Sequence, residues 1–334
     1  MKIIAEAGCN HNGDISKALE LIDVAKESGA DYVKFQAYKT ESLLLPGSMK
    51  AKYQARNTSK KETQFQRLKK AELSLKQFIK LYDYSKKRKI KLISSFFDKE
   101  SLEVLKYIDM DYIKISSSEI NNTELLKHIS NTKNNVIFST GMANINEINS
   151  AVKILKKNNL SKKIVCMHCV SSYPTKLSDS MLGLIPELKK ALNIPIGFSD
   201  HTEGNEASIS AIALGVEYLE KHFTLNKNMS GGDHKFSLNP NELKKYVQAI
   251  KDVSKSLSHN NFNKRVHAEK EISKISKRSI CSKKNIKKGD KILKEDLCLR
   301  RPGNGLNPDY LKIIIGKKAK KDIVKDRLLN KSMF

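Results

Sequence analysis

Ile196-Gly197-Phe198-Ser199-Asp200-His201 and Tyr218-Leu219-Glu220-Lys221-His222-Phe223 are the two stretches whose reading decides the fold. Each is an apolar run of strand texture with an imidazole at its C-terminal end, and an amphipathic stretch, Glu206 to Leu214, lies between them. That alternation is the pattern of neighbouring parallel strands joined by a helix. Neutral imidazole is a preferred ligand of divalent first-row metals, so two at the same ends of adjacent strands would face one site. A lone buried histidine is ordinarily a hydrogen-bonded core residue, and the pair gains its weight from the pattern around it.

The same alternation extends outward through most of the chain. Strands are predicted over Ile3 to Ala7, Tyr32 to Gln36, Lys91 to Phe96, Tyr112 to Ser116, Asn135 to Thr140, Ile164 to Cys169, Pro195 to Ser199 and Tyr218 to Phe223. Helices are predicted near Ile15 to Ser28, Leu75 to Lys89, Glu100 to Tyr107, Glu124 to Ser130, Ile145 to Lys157, Leu182 to Lys190, Glu206 to Leu214 and Asn241 to Leu257. In the first, Asp14 is the N-cap, Ile15, Ala18, Ile22 and Ala25 share one face, and Gly29 ends the helix. Eight β-then-α units over residues 1–258 match an α/β fold of the (β/α)8 TIM-barrel type. Lys39 to Leu73 is too long for an ordinary βα loop and should form an excursion at the barrel mouth.

Residues 259–277 read as a linker that opens with the turn-rich Asn260-Asn261-Phe262-Asn263-Lys264. Residues 278–334 carry short β-like pieces, Ser279 to Ser282 and Leu297 to Arg300, with a turn at Lys288-Gly289-Asp290, and predict a small β-rich C-terminal domain. So short a unit buries little apolar surface alone, so it docks on its own barrel or is exchanged with a partner chain.

Hydrophobic residues are 39% and charged residues 29% of the 334, a globular balance. No apolar run approaches the roughly 20 residues of a membrane helix, and Glu6 interrupts the N-terminus too early for a signal segment. A cytoplasmic protein with no membrane partner is expected. The five cysteines, Cys9, Cys166, Cys169, Cys281 and Cys298, lack the spacing of a disulfide framework. Cys166 and Cys169 fall on opposite faces of one strand, which argues against a metal knuckle. The net charge of +26 raises nucleic acid as a partner, but 54 of the 62 basic residues are Lys and eight are Arg. Bases and phosphates favour the Arg fork, so the reading is a solvated lysine surface that draws small anions, with no nucleic acid partner.

In such a barrel the polar residues at strand C-terminal ends face the active site. Those ends supply Glu6, Asn10 and His11; Lys34 and Gln36; Ser95 and Asp98; Lys114, Ser117 and Glu119; Ser139 and Thr140; His168 and Tyr173; Ser199, Asp200 and His201; and Glu220 and His222. Lys34 and Lys114 among three serines describe a pocket for a phosphate or carboxylate anion. With two candidate metal ligands and several carboxylates, the set fits metal-assisted chemistry on a polyanionic substrate.

Eight segments then resemble, in order, the signature segments of the sialic acid synthase family, legionaminic and pseudaminic acid synthases included. They are Ile4-Ala5-Glu6-Ala7-Gly8-Cys9-Asn10-His11-Asn12-Gly13, Val33-Lys34-Phe35-Gln36, Ile113-Lys114-Ile115-Ser116-Ser117-Ser118-Glu119, Ser139-Thr140-Gly141-Met142, Gly197-Phe198-Ser199-Asp200-His201-Thr202, Glu220-Lys221-His222-Phe223-Thr224, Gly232-Asp233-His234-Lys235 and Arg301-Pro302-Gly303-Asn304-Gly305. The resemblance covers essentially the whole chain, and residues 278–334 resemble that family's antifreeze-like (SAF, β-clip) domain.

The resemblance implies condensation of phosphoenolpyruvate with N-acetylmannosamine or a related N-acetylated hexosamine, with C–O cleavage and release of phosphate. It implies Mn²⁺ or Mg²⁺ on His201 and His222. Lys34, Lys114, Ser117, Ser139 and Ser199 would hold phosphoenolpyruvate, and Glu6 and Glu119 would serve proton transfer. Gln36, Tyr173 and Asp233 would bind the sugar, and Arg301 would reach its N-acyl group from the partner chain of a domain-exchanged homodimer.

Two departures from the family pattern bear on the sugar. Many relatives have Asn before the Tyr-Pro pair, whereas Val170-Ser171-Ser172-Tyr173-Pro174 leaves that contact to a Ser171 hydroxyl. Relatives often have Gly-Pro-Asp where Gly231-Gly232-Asp233 stands here, a looser loop. A Schiff-base aldolase using Lys34 or Lys114 is the rival enzyme reading, and it leaves both histidines and the appendage unexplained. An ice-binding module is the rival from another class, and the lysines and acids of Asn285 to Asp296 argue against it.

Overall fold

A computed structural model describes residues 1–51, 54, 58, 62–157, 163–258 and 266–334. The chain divides into two compact units, Met1–His259 and Asn260–Phe334. In the first, eight parallel strands close into a barrel in sequential order: β1 (Lys2–Gly8), β2 (Tyr32–Ala37), β3 (Lys91–Phe96), β4 (Tyr112–Ile115), β5 (Asn135–Ser139), β6 (Ile164–Cys169), β7 (Ile196–Asp200) and β8 (Tyr218–His222), with β8 pairing back to β1. Every predicted strand is found, with ends within a residue or so of expectation.

Outward-facing Val33, Phe35, Ile113, Ile115, Val136, Phe138, Phe198 and Leu219 form the main core with the helices. The first helix, Ile15–Ser28, shows why they form where they do. Asp14 accepts from the Ser16 and Lys17 amides, and Gly29 ends the helix at φ 83°, where its N–H returns to Ala25 and Lys26 carbonyls. Helix Leu75–Lys87 opens with a Ser74/Gln77 capping box, and Pro240–Ser256 with an Asn239/Glu242 box. Glu100–Lys106, expected as an α-helix, is a 3-10 helix. Its N-cap Lys99 offers no acceptor, and Asp98, one residue earlier, takes the Ser101 amide instead. The excursion after β2 contains helices Thr40–Leu43 and Gln64–Ala71, and Leu68 and Ala71 of the second pack with Cys9 and Tyr38.

In the second unit, strands Ser279–Ser282 and Leu297–Arg300 pair antiparallel, as expected. Ile280, Ile286, Ile292, Leu306, Ile314, Ile323, Leu329 and Phe334 build its core. Residues 260–264, expected as turns, lie outside the described residues. The remainder of the predicted linker contains a helix, His267–Ser276, that was not drawn from the sequence. Its Ala, Glu and Lys residues favour helix by propensity, and its apolar Ile272 and Ile275 are exposed, so no buried stripe marked it. Among the described residues, no helix is long and apolar enough to cross a membrane.

Candidate active site

Inside the barrel the strands stack side chains in rings, because alternate residues face inward. Ile4, Tyr32, Ile93, Tyr112, Ile137, Val165, Met167 and Tyr218 form a buried apolar ring. Two residues further towards the C-terminal ends stand Glu6, Lys34, Ser95, Lys114, Ser139, Cys169, Ser199 and Glu220, one from each strand. All eight line one cavity of about 340 Å³, which Gln36, Ser117, Tyr173, His201, His222 and Asp233 border further out.

The charged members of the polar ring are bonded to one another. Lys34 Nζ lies 3.1 Å from Glu6 Oε1 and 3.5 Å from Glu220 Oε1, and donates to Ser95 Oγ at 2.9 Å. Lys114 Nζ donates to both Glu220 oxygens at 3.1 and 3.2 Å, and Ser199 Oγ donates to Glu220 at 2.9 Å. Gln36 Nε2 donates to Glu6 Oε1 at 3.2 Å, while the buried Glu6 Oε2 has no hydrogen-bond partner among the described residues. The lysines were expected to describe a pocket for an anion; the structure couples both to Glu220, which makes that pocket nearly charge-balanced.

The two carboxylates differ for a physical reason. Burial pushes Glu6 up to about 7, with Lys34 pulling down and Glu220 pushing up. Burial would raise Glu220 as well, but Lys114 and Lys34 outweigh it and hold its carboxyl well below the usual range. Lys34, beside two carboxylates, is raised despite burial, whereas Lys114, beside one, is lowered by it. With Glu6 protonated, two ammonium groups face one carboxylate, and the ring carries one net positive charge for an incoming anion.

His201 and His222 stand together at the cavity edge with ring centroids 5.4 Å apart. His201 Nδ1 bonds the Val170 carbonyl at 2.8 Å, which assigns its proton to Nδ1 and leaves Nε2 a lone pair 3.5 Å from Ser199 Oγ. Buried His222 Nδ1 has no partner among the described residues. Burial lowers His201 to about 4 and His222 well below its ordinary value, so both rings are neutral at pH 7. Tyr173 packs over His201 at 4.3 Å, and Phe236 lies 5.2 Å from His222. Among the described residues no cluster of three or more His, Cys, Asp or Glu could hold a metal ion. Two neutral imidazoles with available lone pairs fit a catalytic cation whose remaining positions go to water or substrate, and do not fit a closed four-ligand site.

Hydroxyls converge where β4, β5 and β6 end. Ser117 Oγ accepts from the Gly141 amide at 3.0 Å and lies 3.1 Å from Cys169 Sγ, and Ser139 Oγ is buried without a partner among the described residues. A Cβ on Gly141 would stand 2.2 Å from Ser171 Oγ and 2.9 Å from Ser117 Oγ, so only glycine leaves this space.

Other candidates lie elsewhere. Glu119 is buried outside the cavity lining, its oxygens accepting from Ser118 and Asn122, so it braces the turn after β4. His168, Asp98 and Asp200 take outward positions by the same alternation and are corrected as site residues. His168 Nε2 bonds Ser180 O, Asp98 caps Ser101, and Asp200 pairs with Lys221 at 2.9 Å. Asn10 donates to Phe223 O and Ser237 Oγ, and His11 Nδ1 accepts from the Gly13 amide. Arg301 is exposed in the second unit. Sequence reasoning placed Ser95 and Glu220 at the active-site face without giving either a specific role, and it did not offer Cys169, although its inward register marks it. It also missed Arg67, which reaches the cavity through tertiary packing alone.

Comparison with known proteins agrees with this architecture. The NeuB family model matches residues 21–262, and an SAF domain model matches residues 277–334. The N,N'-diacetyllegionaminic acid synthase of Campylobacter jejuni is 40% identical over 98% of this chain and 98% of its own length. That of Legionella pneumophila is 38% identical over 94% of this chain and 89% of its own. The crystal structure of an N-acetylneuraminic acid (sialic acid) synthetase from Leptospira borgpetersenii is similar with a TM-score of 0.70 and 37% identity, covering 81% of this chain and 89% of that one. The chain belongs to the NeuB family.

Proposed function

We propose that this member of the NeuB family condenses phosphoenolpyruvate and water with the open-chain form of an N-acetylated hexosamine, giving a nine-carbon 2-keto sugar acid and phosphate. Two relatives named for N,N'-diacetyllegionaminic acid support a 2,4-diacetamido-6-deoxy hexose as the acceptor ahead of N-acetylmannosamine. The observation that carries the reaction type is the shared cavity: a cradle of paired lysines and serine hydroxyls, that of Ser139 without a partner among the described residues, beside two neutral imidazoles.

In this reading Lys34 and Lys114 hold the anionic ends of phosphoenolpyruvate, with Ser117, Ser139, Ser171 and Ser199 donating to its oxygens. Mn²⁺ or Mg²⁺ held by His201 and His222 would supply Lewis-acid polarisation of the aldehyde. Carbon C3 of the enol bonds to the aldehyde carbon, whose oxygen takes a proton. Water adds to C2 of the resulting oxocarbenium-like centre while Glu6 Oε2 accepts its proton, and the tetrahedral adduct expels phosphate by C–O cleavage. Glu119, engaged by Ser118 and Asn122, holds the Ser117 turn rather than a proton in flight. Gln36, Tyr173 and Asp233 orient the sugar. Exchange of C-terminal domains between two copies would bring Arg301 to its N-acyl group, so Arg301→Ala raises the KM for the sugar and spares that for phosphoenolpyruvate.

The test is phosphate release from phosphoenolpyruvate with each of the two sugars in turn, beside a no-sugar control. Release that depends on sugar and on divalent metal supports the proposal. Covalent trapping of substrate by borohydride at Lys34 or Lys114 would replace it with Schiff-base chemistry.

A further inference from the structure

We propose that Arg67 and Asp233 form a donor–acceptor pair at the cavity rim that selects the acceptor sugar by an amide group, an inference that rests on the reaction proposed above. Arg67 lies on the helix Gln64–Ala71, which starts from a Thr63/Gln66 capping box. Tyr38 Oη donates to the Leu68 carbonyl at 3.0 Å, and buried Leu68 and Ala71 seat that helix on the barrel. The neighbouring Arg67 is thereby presented to the cavity, which it lines together with Asp233.

Three observations give the rim its selectivity. The guanidinium rests on the Gly232 peptide: a Cβ there would stand 3.1 Å from Arg67 Nη1 and 3.3 Å from Gln54 Cγ, tighter than ordinary packing permits. A side chain at this position would therefore press the guanidinium aside. Arg67 Nε donates to Gln64 Oε1 at 3.3 Å, which holds the fork in place. Asp233 is close enough to feel the guanidinium, which opposes the rise that burial gives its carboxyl. Yet among the described residues the two do not approach within the 4.0 Å of an ion pair. A positive donor and a negative acceptor thus face one cavity with a gap between them. A neutral group that answers both needs an acceptor and a donor on different atoms, and an amide at C4 of the sugar, the one that N-acetylmannosamine lacks, offers its carbonyl oxygen to Arg67 and its N–H to Asp233.

The experiment compares kcat/KM for N-acetylmannosamine and for its 2,4-diacetamido-6-deoxy counterpart in wild type, Arg67→Met and Gly232→Ala. Losing a charge-assisted hydrogen bond lowers kcat/KM by about tenfold to a hundredfold. That loss is expected on the diacetamido sugar, mostly through KM, with a much smaller loss on N-acetylmannosamine and an unchanged KM for phosphoenolpyruvate. Gly232→Ala displaces the fork without removing it and shifts the preference in the same direction. Equal losses on both sugars, or a loss seen only in kcat or in the KM for phosphoenolpyruvate, would overturn the pair as a specificity device. A wild type that turns over neither sugar overturns the parent reaction instead, so the two failures are distinct.

Discussion

The two inner layers of the barrel lie one above the other along the strands, yet they solve opposite problems. The lower ring, from Ile4 to Tyr218, is apolar, and the hydroxyls of Tyr112 and Tyr218 satisfy each other at 2.9 Å. The upper ring places Glu6, Lys34, Lys114 and Glu220 out of water, where each charge depends on its neighbours. Removing one group from the lower ring takes away a contact. Removing one from the upper ring strands a charge, and that asymmetry sets the scale of what substitutions do.

The largest effect is therefore expected at Glu220, the hub of the upper ring. Glu220→Gln keeps the shape but leaves the Lys114 ammonium without a carboxylate, and breaking such a buried pair costs about 3–5 kcal/mol. Denaturant unfolding should show a loss of that order, and phosphate release should vanish. A Glu220→Gln protein of unchanged stability would mean that the upper ring is no more coupled than the lower.

Next in size come the imidazoles just above. If they hold the cation, His201→Ala or His222→Ala lowers phosphate release about a thousandfold, the scale of several kcal/mol of Lewis-acid stabilisation. The fold is retained, since neither ring is hydrogen-bonded to Lys34, Lys114 or Glu220. Excess chelator should reproduce the loss in wild type, and added Mn²⁺ or Mg²⁺ should reverse it. Full activity in chelator would remove the metal from the site.

Glu6 offers a finer separation of the rings through pH. Its carboxyl is raised from 4.5 to about 7, chiefly by burial. A carboxyl raised by folding contributes stability that is fully present below its unfolded value and is lost as pH rises through the folded one. Relative to Glu6→Gln, wild type should therefore lose stability between pH 4.5 and about 7. If the ionised form accepts the proton of the attacking water, the rate rises about tenfold per pH unit up to near 7 and then levels. Glu6→Gln should lack that limb, and a limb that survives the substitution belongs to another group.

Legibility follows the same division. Apolar runs alternating with amphipathic helices were enough to draw all eight strands, and reading their polar C-terminal ends placed Glu6, Lys34, Lys114, Ser139, Ser199 and His222 at the inward positions of each strand's period-two alternation. The same alternation, applied strictly, also marks Glu220 as inward and Asp200, Lys221 and His168 as outward, since inward and outward residues differ by one position. What alternation cannot carry is the pairing within a ring. Lys34 and Glu220 are far apart in sequence, and their 3.5 Å contact exists only because the sheet closes on itself. Nor can it carry the rim, where Arg67 comes from a helix whose side chains obey a different period and whose seat on Gly232 depends on a loop after β8.

The smallest effect is expected one ring down, at Tyr112, and it is the most direct check on the contrast. Tyr112→Phe removes the hydroxyl that partners Tyr218 and leaves the second hydroxyl unpaired in a buried setting. The loss is about 1–3 kcal/mol of folding stability, the cost of leaving one neutral hydroxyl unsatisfied out of water. Turnover and both Michaelis constants should stay as in wild type, because the apolar ring closes the barrel beneath the cavity and touches no substrate. A loss of turnover that matched Glu220→Gln would show the two rings acting as one body. A stability loss without a kinetic one leaves the chemistry to the charged ring and the seal to the apolar one.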